Sequence, residues 1–218
     1  MDLARYFSPE DVNTIAAAVR DAEARSGGEV VPVVVESSDE YDVAAWRGAC
    51  LGALGCSMTA AAIWLLGSFW GAPLPLWIAG PPALGAALGY LGVVALEPLR
   101  RLLIPGELLA LRVARRARAA FLDYEVFATR DRTGILLFVS LFERRVEVLA
   151  DSGITAQVHQ GEWNALAAEV AAGIRSGLAG AALAAGVRRC GELLELHGIE
   201  RRPDDINELP DDLRPSRR

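Results

Sequence analysis

GACLGALGCSMTAAAIWLLGSFWGAPLPLWIAGPPALGAALGYLGVVAL, residues 48–96, decides how the chain is read, because these 49 consecutive residues contain no Asp, Glu, Lys or Arg. The hydrocarbon core of a bilayer takes about 20 apolar residues per helical span. The stretch therefore holds two spans and a tight connection, and is too long for one. The pattern predicts a first span over Gly48–Phe69, a turn at Gly71-Ala72-Pro73 and a second span over Leu74–Glu97. Pro81-Pro82 removes helical hydrogen bonds, so it either kinks the second helix or marks where its regular part begins. Gly48-x-x-x-Gly52 and Gly85-x-x-x-Gly89 each put small residues on one helical face. Such faces allow close backbone approach in lipid, and packing of the two spans on each other is the expected use. A buried helical hairpin of a soluble protein is the competing reading, and the unbroken absence of charge argues against it.

The flanks orient the hairpin. Arg47 precedes it, and Arg100 and Arg101 follow it, joined by Arg112, Arg115, Arg116 and Arg118, whereas the turn carries no charge. Positively charged loops stay in the cytoplasm, so both ends of the hairpin are expected there. Trp70 and Trp77 bracket the turn and Trp46 stands at the other end, positions where amphipathic rings favour the headgroup layer. Membrane anchoring is accordingly assigned to Trp46, Arg47, Trp70, Trp77, Arg100 and Arg101. The expected location is the plasma (inner) membrane, with two spans and with both termini and the flanking domain cytoplasmic. Met1–Phe7 carries Asp2 and Arg5 and leads into a helix start, unlike a signal peptide.

Outside the hairpin the periodicities are those of an α/β domain. Ser8-Pro9-Glu10-Asp11 reads as a helix start, with apolar residues at helical spacing from Val12 to Ala22 and Gly27-Gly28 as the stop. Glu29–Glu36 is β-branched and reads as a strand; Pro32 lacks a donor, which predicts an edge position or a local bulge. Ser37-Ser38-Asp39-Glu40 looks like a second capping signal, opening a helix that continues into the membrane. Gly106 to about Tyr124 is an Arg-rich helix with Val113, Ala117 and Phe121 on one face. Arg115 and Arg116 on it are candidates for lipid or phosphate contact, against the simpler reading of a solvated face. Gly134–Leu141 reads as an interior strand and Val146–Ala150 as its hairpin partner across the turn at Phe142–Arg145. Two amphipathic helices follow, with stripes at Trp163, Leu166, Ala167, Val170, Ile174 and at Leu183, Val187, Cys190, Leu194. Both can lie on the sheet, giving a layered α/β domain. The tail from Arg201 is too polar to fold alone, and Asn207–Leu213 either docks or stays unfolded. Four parts result: 1–47, the first piece of the α/β domain; 48–97, the transmembrane hairpin; 98–200, the rest of the domain; and 201–218, a polar tail.

Composition removes several function classes. A formal net charge of −6 argues against nucleic-acid binding, which needs a basic surface. All 22 basic residues are Arg, so no Walker, Schiff-base or kinase lysine exists. Cys50, Cys56 and Cys190 show neither disulfide nor zinc spacing. His159 and His197 are isolated, and no GxSxG elbow, dinucleotide glycine motif or EF-hand loop is present.

Taken together, Phe7-Ser8, Ser26-Gly27-Gly28-Glu29-Val30-Val31, Thr133–Ser140, Glu143-Arg144-Arg145-Val146–Asp151 and Asn207-Glu208-Leu209-Pro210 resemble the TPM domain family over nearly the whole chain. The closest likeness is to its membrane-anchored branch, in which a transmembrane hairpin interrupts the domain after the first strand. The resemblance implies a sheet of a few strands between helices. It implies one of two kinds of function, because some members are described as calcium-binding or as weak acid phosphatases and others as accessory factors of membrane complexes. Ala150-Asp151-Ser152-Gly153 departs from the Gly-aromatic-Gly turn of the soluble branch and keeps only its last glycine.

A phosphatase needs a nucleophile or metal-bound water with cationic stabilisation of the phosphoryl oxygens. Asp131 and Asp151, expected at the same end of the strand hairpin, are the candidate metal pair, with Arg130 and Arg132 as candidate phosphate contacts; Glu143 falls at the opposite end. The residues name no cofactor, and Ca²⁺ or Mg²⁺ is the class that such carboxylates suit. The first functional reading is therefore an accessory or scaffold protein whose partners are the bilayer and a membrane protein. The alternative is a metal-dependent phosphatase.

Overall fold

The computed structural model describes residues 6–67, 75–199, 201, 208–210 and 212–215. In chain order the elements are α1 (Pro9–Arg25), β1 (Glu29–Val35), α2 (Asp42–Leu66), α3 (Pro75–Ala95), α4 (Glu97–Leu102) and α5 (Gly106–Asp123). They continue as β2 (Gly134–Ser140), β3 (Arg145–Ala150), α6 (Ser152–Thr155), α7 (Gln160–Arg175), α8 (Ala179–Leu196) and β4 (Arg214–Pro215). Two compact units result, Met1–Ser38 with Ala110–Arg218, and Asp39–Leu109.

The first unit is a mixed sheet ordered β3-β2-β1-β4, parallel between β2 and β1 and antiparallel between β2 and β3. Every residue of β1 and β2 is buried, as both faces of each strand are covered. On one face Val30, Val34, Ile135, Leu137 and Val139 meet α1, α7 and α8 through Ile15, Val19, Trp163, Leu166, Leu183 and Leu194. On the other, Val31, Val33, Val35, Leu136 and Phe138 meet α5 through Val113, Ala117 and Ala120. The continuous apolar runs thus serve a three-layer core, and fully burying one such Val or Leu contributes about 1.5–3 kcal/mol. At the start of α1, where the sequence predicts a helix start, Ser8 Oγ accepts from the Asp11 N–H at 3.0 Å and the Asp11 carboxylate accepts from the Ser8 N–H at 2.9 Å, a reciprocal capping box.

Pro32 does not place β1 at the edge or bulge it: the pairing with β2 runs unbroken from Glu29↔Gly134 to Val35↔Ser140. The reason lies in the alternation of the strand backbone. Glu29 N–H points to β2, donating to Thr133 O at 3.1 Å. Val30 N–H points the other way, to Glu23 Oε1 at 3.1 Å. Pro32, two residues on, shares the Val30 side, where β4 pairs only with Val33 and Val34. Its missing donor therefore falls on the open flank.

That flank is where the tail goes. Glu208 N–H donates to Glu29 Oε1 at 3.2 Å, and the Glu208 carboxylate accepts from Arg130 N–H at 3.0 Å. Leu209 enters the α5-side core and Leu213 the opposite one. Arg214 stacks on Tyr124 at 5.3 Å as β4 pairs with β1. The described parts of the tail, 208–210 and 212–215, thus dock; Asn207 and Asp211 lie outside the described residues.

Helices α7 and α8 are tied at their ends by Glu162 and His197, with His197 Nε2 3.0 Å from Glu162 Oε2. The Glu162 carboxyl is held below the usual carboxylate range chiefly by the His197 hydrogen bond, against a smaller opposing effect of burial. A depressed carboxyl contributes stability above its unfolded value of 4.5, and that contribution is lost as pH falls through the lower folded value. Glu162→Gln is therefore expected to melt below the wild type near neutral pH, and the two melting curves should converge as the pH drops below 4.5, read by circular dichroism across a pH series.

The second unit is an antiparallel helical hairpin. α2 runs from Asp42 without a break, so the first helix is continuous through Trp46 and Arg47. Ser37-Ser38 does not cap it: the preceding residue is Tyr41, in the left-handed region at φ 56° and with no side-chain cap. α3 begins at Pro75 and holds Pro81 and Pro82 inside it, so the proline pair does not mark its start. Leu96 separates α3 from α4, which puts Glu97 in the short helix rather than in the second span. The turn residues Gly71, Ala72 and Pro73 lie outside the described residues, as do Phe69 and Leu74.

Candidate functional site

The amino ends of the parallel strands carry the Asp131–Asp151 pair. Asp151 is buried, accepts from Ser152 N–H at 2.6 Å as the cap of α6, and meets Arg132 Nε at 3.0 Å. Arg132 adopts φ 59° and lies over the Phe127 ring at 5.7 Å. Asp131 is exposed on the adjoining loop. The two loops touch through their backbones: Gly153 N–H donates to Arg132 O at 3.0 Å, and a β-carbon at Gly153 would collide with the carbonyl of Asp131. That contact is the local reason for the one glycine kept after β3. Gly134 has a similar reason, since a β-carbon there would strike the Val126 carbonyl. The loops bearing the two acids are thus brought side by side. Arg132 and the α6 amide already occupy the Asp151 carboxylate, and Arg130 uses its backbone N–H on Glu208. Among the described residues no group of three or more His, Cys, Asp or Glu side chains gathers in a metal-holding arrangement.

The carboxyl ends of the same strands hold a polar knot that sequence reasoning missed. Glu143 is fully buried in the β2–β3 turn. Its Oε1 accepts from Ser38 N–H at 2.9 Å and from Ser37 Oγ at 3.3 Å, while Oε2 takes a short bond from Ser140 Oγ. Ser38 Oγ and Ser140 Oγ are 2.7 Å apart. Ser37 and Ser38 turn to Glu143 instead of capping α2, which starts only at Asp42. The visible clue was Ser140 three residues before Glu143; the partner serines stand 106 and 105 residues away. This knot fastens the point at which the chain leaves β1.

In the hairpin unit, the four spaced glycines form the seam. β-carbons at Gly52 and Gly89 would collide with the carbonyls of Gly85 and Gly48, so the backbones themselves touch. Ser57 and Thr59 return their hydroxyls to Ala53 O and Gly55 O at 2.7 and 2.9 Å, leaving no hydroxyl unpaired on an apolar helix. At one end Trp46 meets Tyr90 edge-on at 5.6 Å between ring centres, and at the other Trp64 meets Trp77 at 6.4 Å. Trp64 and Tyr90 were not foreseen as members of these pairs, and Trp70 lies outside the described residues. Arg47 donates to Leu103 O at 2.8 Å, joining α2 to the end of α4, which carries Arg100 and Arg101 in its last turn. On α5, Arg115 is exposed and Arg116 half-buried. Burial pushes the Cys190 thiol up to about 12, so it offers no nucleophile at neutral pH.

No family model matches the chain, and no curated protein does. Among solved structures, the NMR structure of BA42 protein from the psychrophilic bacterium Bizionia argentinensis is similar, with a TM-score of 0.57 and 16% identity. The likeness covers 97% of this chain and 96% of that one, and at this identity what it shows is a shared fold.

Proposed function

We propose that this protein is a membrane-anchored α/β module of the TPM type, with its hairpin spanning the bilayer twice and its sheet unit serving as an accessory or scaffold for a membrane protein complex. The observation that carries the reading is the hairpin: α2 and α3 are long and apolar enough to cross a membrane, yet they are hardly buried at all. Met58 is 73% exposed, Leu66 85% and Leu76 80%. A core helix of a soluble protein would hide such residues. Soluble monomers rarely expose contiguous apolar patches beyond a few hundred Å², and here whole helices present Leu, Ile, Val and Met outward. The aromatic pairs bracket a length: Trp46 and Trp64 are 18 residues apart on α2, about 27 Å of rise, and Trp77 and Tyr90 are 13 apart on α3, about 20 Å, against a hydrocarbon thickness of roughly 30 Å. Antiparallel helices begin and end on one side of any layer they cross, so the two sequence pieces of the sheet unit share a compartment. The arginines at Arg47, Arg100 and Arg101 favour the cytoplasm.

The accessory role rests on the resemblance to the TPM family and on the polar end-sites, whose buried carboxylates, Asp151 and Glu143, are engaged within the fold. Reporter fusions at the two termini should both give a cytoplasmic signal. Affinity capture of the full chain from mild detergent should recover a stoichiometric membrane protein. A periplasmic terminus would overturn the topology, and repeated recovery of the chain alone would overturn the scaffold role.

A further inference from the structure

α5 has a second face. Val113, Ala117 and Ala120 are fully buried against the sheet. Leu111, Arg115, Arg118 and Leu122 recur at steps of four, three and four, which sets them in one stripe on the opposite side of the helix. All are exposed, Leu111 at 64% and Leu122 at 62%. Arg116, by contrast, is half-buried beside the core-facing side. Arg118 also contributes to the field at Glu147 on β3, and that interaction leaves it at the surface. An apolar–cationic alternation on one solvent face is the pattern of a helix that lies in the headgroup layer, its leucines among the acyl-chain tops and its guanidiniums on phosphates.

We infer that the Leu111–Arg115–Arg118–Leu122 face of α5 is a second membrane contact, one that binds anionic phospholipid and lies on the bilayer surface. Resting as it does on the membrane reading above, it adds a lipid class and a set of residues. Two observations select a lipid surface over a protein partner. The face is cationic, and the chain between α3 and α5 is itself basic and apolar, with Arg100, Arg101 and a Leu102 that is 78% exposed. Only ten residues separate the end of α3 at Ala95 from Gly106, so α5 is tethered close to the headgroups wherever the hairpin is inserted.

The test uses the full chain in mild detergent, titrated with phosphatidylglycerol or phosphatidylcholine and read by native mass spectrometry. The wild type should prefer phosphatidylglycerol. Arg115→Gln with Arg118→Gln should weaken that lipid by roughly tenfold to thirtyfold and leave phosphatidylcholine unchanged. Arg115→Lys with Arg118→Lys should restore most of the preference, and Arg188→Gln, an exposed arginine on α8, should have no effect. Equal affinity of the wild type for the two lipids, or an unaltered preference in the glutamine variant, would overturn the inference. Both results are distinct from failure of the membrane reading, in which the wild type would need no detergent at all.

Discussion

Gly52→Leu should force α2 and α3 apart and lower the stability of the hairpin by about 3 kcal/mol, at the upper end of the usual cost of overpacking. The magnitude follows from what the new side chain meets. A β-carbon at Gly52 strikes the Gly85 carbonyl and lies against Gly89 Cα, and backbone atoms cannot turn aside as a flexible side chain can. Relief requires moving one helix bodily, which also breaks the Gly48–Gly89 contact one turn away. Gly55 supplies the control, because it stands on the same helix and its β-carbon would meet nothing within 4 Å. Unfolding of the detergent-solubilised protein by added SDS should shift strongly for Gly52→Leu and little for Gly55→Leu. Equal shifts would mean that the glycines are not a seam.

The second large effect belongs to Glu143. Truncation to alanine deprives Ser38 N–H and Ser37 Oγ of their acceptor and leaves the fully buried Ser140 Oγ with Ser38 Oγ, 2.7 Å away, as its remaining partner. A stranded buried donor costs about 1–3 kcal/mol. Ser37 and Ser38 are half-exposed and can turn to water, and Ser140 keeps Ser38 Oγ, so the expected loss is about 2 kcal/mol rather than the sum of three full penalties. Glu143→Gln keeps the shape and one acceptor oxygen and should lose about half as much. Urea unfolding followed through the near-ultraviolet signal of the buried Trp163 would read both changes. An unaltered midpoint for Glu143→Ala would show that the knot is dispensable.

These two sites differ in how far the sequence reveals them. The hairpin is legible because a run of 49 residues without an ionic side chain is a property of composition, and the glycine seam because small residues four apart share a face whatever lies around them. The β2–β3 hairpin and the stripes of α7 and α8 were readable for the same reason, as local periodicity carried them. Glu143 was not. Ser37-Ser38-Asp39-Glu40 has the form of a helix cap, and only a distant acceptor diverts its serines. β4 was equally hidden, because Arg214 and Pro215 have little strand propensity of their own and pair where β1 leaves a flank open. Pro32 misled in the same way: its missing donor matters only on the side that a neighbour uses, and the sequence does not say which side that is.

The account depends most on the hairpin lying in hydrocarbon. Cells expressing the full chain can be lysed without detergent, and their membranes washed with alkaline carbonate and sedimented. The protein is expected in the washed pellet and should be released only by detergent; its appearance in the supernatant after lysis or after the carbonate wash would contradict the transmembrane assignment.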